Sequence, residues 1–239
     1  MFEAAELGHA IDDATFKKQV GKLRESLLEA QYDLLEKKSF PVIILVNGVD
    51  GAGKGETVNL LNEWMDPRHV RSHAFGQPSE EERRRPRMWR FWVSLPPKGK
   101  TGILFGSWYT DPILQRAYGD IGKSGLESRV EEIVRFERML VAEGALLVKF
   151  WFHLSKDVQR KRLRALERDK RTRWRVSPMD WKHFELYDKF RKVSERALRQ
   201  TSTANAPWQI IEGNDARYRS LAAGRIVVEA IEKRLAGKK

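Results

Sequence analysis

Residues 42–57 read Val-Ile-Ile-Leu-Val-Asn-Gly-Val-Asp-Gly-Ala-Gly-Lys-Gly-Glu-Thr, and the reading of this stretch decides the fold. Val42–Val46 is an unbroken apolar run, set off by Pro41 on one side and a glycine-rich segment on the other, which is the pattern of a strand buried on both faces. Helical spacing resumes at about residue 54. The turn between them, Gly48 to Lys54, fits G-x-x-x-x-G-K in the strand–loop–helix context that gives the motif its meaning. Glycines let the chain take left-handed angles, so successive N–H groups converge on an anion, and the helix N-terminus adds its partial charge. The candidate phosphate-binding residues are therefore Gly48, Gly51, Ala52, Gly53, Lys54, Gly55, Glu56 and Thr57, with Lys54 giving a full charge to the outer phosphates. Thr57 has a second reading as a helix cap. Gly55 stands where a hydroxyl residue usually helps to hold Mg²⁺. A metal would need other oxygen ligands, of which Asp50 is the nearest.

Working outward, Val20, Leu23, Leu27, Leu28, Leu34 and Leu35 recur at helical spacing and predict an amphipathic helix over about 14–37. Beyond the loop, the spacing predicts strands at 70–75, 102–105, 145–152 and 208–212. Helices are expected over 54–64, 124–143, 156–168, with Ser155 as N-cap, 180–202 and 215–235. Strands alternating with helices imply an α/β fold with a parallel sheet and helices on both faces. Residues 1–40 read as an N-terminal helical extension and 41–239 as one compact domain.

The bulk numbers agree with a globular protein: 239 residues, 41% hydrophobic, no cysteine and a formal charge of +12. No apolar run is long enough to span a bilayer, and the acidic N-terminus lacks the layout of a signal peptide, so the expected location is the cytoplasm. The positive charge favours a polyanionic partner. Two basic segments stand out. Arg83-Arg84-Arg85-Pro86-Arg87, followed by Trp89, Arg90, Phe91 and Trp92, reads either as a phosphate- and base-contacting surface or as a solvated helix with its aromatics in the core. Arg160–Arg164 runs on to Arg168, Lys170, Arg171, Arg173 and Arg175, and its polar end at 169–178 has the composition of a loop that closes over a substrate.

The order of motifs resembles the polyphosphate kinase 2 family. It consists of Gly48–Thr57, Asp66-Pro67-Arg68, Leu95-Pro96, Ser107-Trp108-Tyr109, Phe136–Leu140, Lys149-Phe150-Trp151, Trp174–Asp180 and Ala206-Pro207-Trp208. The likeness covers about 15–235 and is strongest to the N-terminal half of two-domain polyphosphate:AMP phosphotransferases. It implies a P-loop kinase fold of the thymidylate-kinase type, with a sheet of about five strands and a lid at about 169–178. It also implies Mg²⁺-dependent transfer between inorganic polyphosphate and a nucleoside mono- or diphosphate, AMP in the first place. The implied roles are metal binding by Asp50, catalysis by Asp50, Lys54, Arg173 and Arg175, and phosphate contacts by Arg68 and Lys149. The implied assembly is a homo-oligomer or a pairing with a second homologous domain; neither a membrane nor nucleic acid is expected as a partner. In that family the missing hydroxyl after Lys54 is normal.

One departure is implied by the same likeness. The second acidic motif should place an aspartate, then an arginine, at the end of the third strand, where this chain has Phe105-Gly106, and a later arginine is replaced by Asp111. Leu166 also stands where an arginine is expected. Losing a metal carboxylate removes charge neutralisation from a transferring phosphoryl group. Two functions follow: a polyphosphate-dependent nucleotide phosphotransferase, or a catalytically degenerate domain that binds polyphosphate or nucleotide beside an active partner.

Overall fold

The computed structural model describes residues 1–237. Five strands, β1 (Val42–Gly48), β2 (Val70–Ala74), β3 (Thr101–Phe105), β4 (Leu146–His153) and β5 (Trp208–Glu212), form one parallel sheet in the order β2-β3-β1-β4-β5. Ten helices connect and cover it: α1 (Asp13–Lys37), α2 (Lys54–Trp64), α3 (Glu80–Arg83), α4 (Trp89–Trp92), α5 (Thr110–Tyr118), α6 (Lys123–Ala142), α7 (Lys156–Arg168), α8 (Pro178–Glu185), α9 (Tyr187–Thr201) and α10 (Ala216–Leu235). Short 3₁₀ turns occur at Glu3–Ala5 and Arg173–Arg175. The expected α/β architecture is the one observed.

β1 is the centre of the sheet, and its alternation explains both cores. Val42, Ile44 and Val46 face a layer built from α1, α2 and α10, while Ile43 and Leu45 face α5, α6 and α9. The register Val46↔Phe105 and Val46↔Phe150 brings the carboxyl ends of β1, β3 and β4 level with one another. The loops that leave them therefore open on one edge, where an open parallel sheet holds its ligands.

The first 40 residues pack into this body. α1 starts at Asp12, whose carboxylate accepts from the Thr15 N–H at 2.8 Å, and buries Leu23, Leu27 and Leu34 against α10. Phe2 is buried and stacks on His153 with ring centroids 4.5 Å apart. Gly8 N–H donates to Glu212 at the end of β5.

The single helix expected over 180–202 is two helices. Leu186, with φ −94° and ψ 13°, separates α8 from α9. Each half is anchored separately: His183 of α8 meets Asp50, and the Tyr187 hydroxyl of α9 donates to the Leu154 carbonyl at 2.8 Å. Ser155 stands at the N-cap of α7 as expected, but its side chain makes no capping bond.

Lys149 is not a phosphate contact. It lies in the middle of β4 opposite Leu45, fully buried, with its ammonium 2.8 Å from Glu137 of α6 and 2.8 Å from the Thr201 carbonyl. Glu137 also accepts from Trp108 Nε1 at 3.0 Å and from the Tyr109 hydroxyl at 2.6 Å. The Ser-Trp-Tyr, Phe-Glu-Arg and Lys-Phe-Trp motifs thus meet as one buried polar cluster holding β4 to α5 and α6. Removing one partner leaves an uncompensated charge in the core. Lys149→Ala is expected to cost about 3–5 kcal/mol, read as a lower urea midpoint in equilibrium unfolding.

Candidate functional site

The loop after β1 is shaped by what lies beneath it. Gly48 has φ +142°, and a Cβ there would sit 2.2 Å from the Phe152 carbonyl oxygen, so β1 and β4 can remain paired only with glycine at this point. Gly53 has φ +81°, and its Cβ would fall 2.1 Å from the guanidinium carbon of Arg219. Arg219, from α10, is fully buried under the loop. It donates to Thr57 Oγ1 at 3.2 Å, to the Gly213 carbonyl at 2.9 Å and to Glu56 at 2.6 Å. Among the described residues, no carbonyl or side chain takes the N–H of Gly51, Gly53, Lys54 or Gly55. Those donors are left free at a helix start, the arrangement in which helix N-termini commonly hold anions.

Lys54 bends back over the loop, donating to the carbonyls of Gly48 and Val49 at 2.9 and 2.8 Å, with Asp50 at 3.5 Å. Asp50 lies between this ammonium and His183 Nδ1, 2.6 Å away. Burial acts to raise its pKa, but Lys54 and His183 outweigh that effect and hold the carboxyl at about 2. His183 comes from 133 residues further along the chain, and no local pattern marks it.

Two cavities meet here. The larger, about 420 Å³, runs from the loop down between the sheet and α9, walled by Phe75, Phe105, Ile113, Tyr187 and Phe190. The smaller, about 220 Å³, lies between the loop and the 169–178 segment and is walled by Lys54, Glu56, Arg162, Arg175 and Asp180. Asp50, Lys54 and Phe105 line both. Geometrically, then, an aromatic cleft and a charged one, lined by both acidic and basic side chains, share a wall at the loop.

The structure brings together only part of the expected set. Gly51, Gly53, Gly55, Lys54, Asp50 and Arg175 lie at the shared wall or in the smaller cavity; Arg175 donates to Glu56 at 2.7 Å, tying the 169–178 segment to α2. Glu56 is thus a clasp between Arg175 and Arg219, and both arginines hold its pKa down against burial. Ala52 is buried and contributes backbone only, packed close to Gly213. Thr57 neither contacts the cavity nor caps the helix. It is 1% exposed, donating to the Gly53 carbonyl and accepting from Arg219. Arg173 is exposed and lines neither cavity.

Arg68 lies at the far edge of the sheet. It follows the 11-residue α2, a displacement of roughly 16 Å from the loop at 1.5 Å per residue. There it grips Asp66 and the Tyr32 hydroxyl, which fixes α1 to the turn before β2. The 83–92 segment is also structural: Arg84, Arg85, Arg87 and Arg90 pair with Glu80, Glu81, Glu132 and Glu82, and Phe91 packs on Phe75 and Trp108.

Of the three carboxylates that line the smaller cavity, Glu56 is taken by Arg175 and Arg219 and Asp180 by Ser177, which makes Asp50 the candidate for a divalent metal. The described residues hold no group of three acidic, histidine or cysteine side chains placed to bind one. The Phe105 ring reaches to 4.0 Å from where a Gly55 Cβ would be, so an apolar side chain faces the loop from β3. Asp111 gives no substitute, since it lines neither cavity and its field falls on Arg87. This donor set fits Mg²⁺ held by Asp50 together with phosphate oxygens and water, the manner in which that ion is commonly bound at phosphate sites.

Residues 10–239 match the polyphosphate kinase 2 family. The chain belongs to that family. It is 55% identical to a polyphosphate:AMP phosphotransferase of Pseudomonas aeruginosa, an alignment covering 100% of this chain and 48% of the relative. Identity to an AMP/ADP-polyphosphate phosphotransferase of Meiothermus ruber is 33%, over 88% of this chain and 79% of that one. The crystal structure of polyphosphate kinase 2 from Arthrobacter aurescens superposes with a TM-score of 0.90 at 28% identity, covering 95% of this chain and 82% of its own. The chain spans about half the length of the Pseudomonas relatives it matches. Among the described residues no helix is long and apolar enough to cross a membrane.

The Asp50 pair has a testable sign. Its folded pKa of about 2 lies below the ordinary 3.8, so the stabilisation is full above pH 4 and is lost as pH falls through 2. Asp50→Asn should lower the unfolding free energy by about 2 kcal/mol at pH 5, and this deficit should close between pH 4 and pH 2 in urea titrations.

Proposed function

We propose that this chain transfers a phosphoryl group from inorganic polyphosphate to AMP, yielding ADP and a polyphosphate shorter by one unit. The observation that carries the reading is the shared wall: free loop amides and Lys54 separate a cavity that Arg162 and Arg175 also line, suited to a chain of phosphates, from an aromatic cleft suited to a nucleoside. The names of the relatives matched across the chain support the catalytic reading over that of a binding domain alone.

The reaction needs no nucleophilic side chain. An oxygen of the AMP phosphate attacks the terminal phosphorus of polyphosphate, the bridging P–O bond breaks, and the shortened polyphosphate leaves with that electron pair. The protein's part is positioning and charge. The amides of Gly51, Gly53, Lys54 and Gly55 fix the transferring group, while Lys54, Arg162 and Arg175 balance negative charge on its oxygens. Asp50 would hold Mg²⁺, which when bound neutralises phosphate charge. The Arg175–Glu56 contact draws the lid over the smaller cavity and so restricts water.

ADP formation from AMP, polyphosphate and Mg²⁺ is the direct assay. Lys54→Ala should lower kcat/KM on the order of 10²-fold or more. Turnover indifferent to that substitution would contradict the reading. So would a chain that binds tripolyphosphate but forms no ADP.

A further inference from the structure

Asp50 is held at two points by side chains from distant helices. Gln159 Nε2 of α7 donates to its backbone carbonyl at 2.9 Å, and His183 of α8 reaches its carboxylate, Nδ1 to Oδ2, at 2.6 Å. An ionised carboxylate has no proton to give, so Nδ1 carries the hydrogen in this contact. The other oxygen, Oδ1, has the long 3.5 Å approach of Lys54, whose ammonium is already engaged by the carbonyls of Gly48 and Val49. One oxygen of the carboxylate is therefore fixed and the other lightly held, in a residue that lines both cavities.

The fold does not need this contact to attach α8. Trp181 Nε1 donates to Glu167 of α7 at 3.3 Å, and the Tyr118 hydroxyl of α5 donates to Met179 Sδ at 3.3 Å. The Lys182 ammonium also lies 5.2 Å from the centre of the Tyr118 ring. His183 itself makes an edge contact with Phe190 of α9, ring centroids 5.3 Å apart, and a tilted one with Tyr118 at 5.8 Å. Two aromatic neighbours from two further helices restrict the imidazole, so its Nδ1–H points at a set place. Simple charge attraction needs no such aim, whereas a hydrogen bond weakens steeply as its angle closes.

We infer that His183 is a positioning residue for the metal-holding carboxylate: its Nδ1–H occupies Oδ2 of Asp50, fixes the side chain, and leaves Oδ1 for a divalent cation. The inference rests on the reading that Asp50 holds Mg²⁺. Carboxylates that ligate a metal are themselves hydrogen-bonded, because the bond orients the group before the ion arrives. Phe105 adds no oxygen from β3, and Glu56 and Asp180 are taken by other partners, so the orientation of one side chain governs the protein's share of the coordination.

Two substitutions separate this role from packing. His183→Phe keeps an aromatic ring against Tyr118 and Phe190 but has no donor, while His183→Asn loses the ring and keeps an N–H at the place of Nδ1. The whole chain is titrated calorimetrically with tripolyphosphate, once in saturating Mg²⁺ and once with the metal removed by a chelator. His183→Phe should weaken binding about 10- to 100-fold in Mg²⁺ and leave the metal-free affinity unchanged, and His183→Asn should restore most of the loss. In the AMP assay the Mg²⁺ concentration giving half-maximal rate should rise in the same order. His183→Phe matching the unsubstituted chain in Mg²⁺ overturns the inference, as does His183→Asn being as weak as His183→Phe. Equal losses with and without Mg²⁺ mark a structural role and overturn it too. Asp50→Ala, titrated in the same way, tests the underlying reading. If it leaves binding in Mg²⁺ unchanged, Asp50 does not hold the ion and the inference falls with that reading. If it weakens binding in Mg²⁺ and His183→Phe does not, the role of His183 alone fails.

Discussion

The guanidinium of Arg219 forms the floor of the glycine loop after β1, and the shape of the site depends on it. A loop of glycines has no side chains with which to fix its own shape, and its free N–H groups repel one another when they converge. Arg219 reaches from α10 to bond Thr57 and Glu56 of α2 and the carbonyl of Gly213 after β5. Three segments distant in sequence are thereby held against the loop, and Gly53 is confined to a residue without a Cβ. Burying a cation is costly unless it is paired and hydrogen-bonded, and Glu56 supplies the pairing. The same carboxylate takes Arg175 from the lid, so one acidic residue links the loop's support to the segment that covers the smaller cavity.

Charge at the shared wall of the two cavities is arranged around Asp50. Asp50 is kept ionised by Lys54 and His183, while β3 presents Phe105 in place of an acid. The smaller cavity is lined by cations from three segments, Lys54 of α2, Arg162 of α7 and Arg175 of the 169–178 segment, set against Asp50, Glu56 and Asp180. The aromatic ring has a second effect, since Phe105 also walls the larger cleft and lowers the polarity around whatever lies there. Charged groups on one side of the loop and an apolar, aromatic cleft on the other suit the proposed reaction between a polyanion and a nucleotide.

The sheet and the loop were legible because their signals are local. Val42–Val46 is apolar without interruption, and Gly48, Gly53 and Lys54 carry their meaning in their spacing. The same reading misplaced residues whose motif membership is real but whose work is structural. Lys149 and Glu137 are twelve residues apart and meet only when β4 packs on α6. Arg68 closes the far end of α2. Arg219 and His183 lay beyond a local reading altogether: they reach the loop from 163 and 133 residues away from their partners Glu56 and Asp50, and neither belongs to a spaced pattern. The helix expected over 180–202 breaks at Leu186, between residues anchored to different segments, His183 to the loop and Tyr187 to the end of β4, contacts that periodicity does not record.

The central claim is that the amides after β1 form the phosphate cradle. Amide chemical shifts of the whole chain, followed by NMR during titration with tripolyphosphate, test it most directly. The account predicts large shifts confined to the N–H groups of Gly51, Gly53, Lys54 and Gly55 and their neighbours in the lid. Shifts that leave these four amides unmoved and fall elsewhere on the basic surface would contradict it.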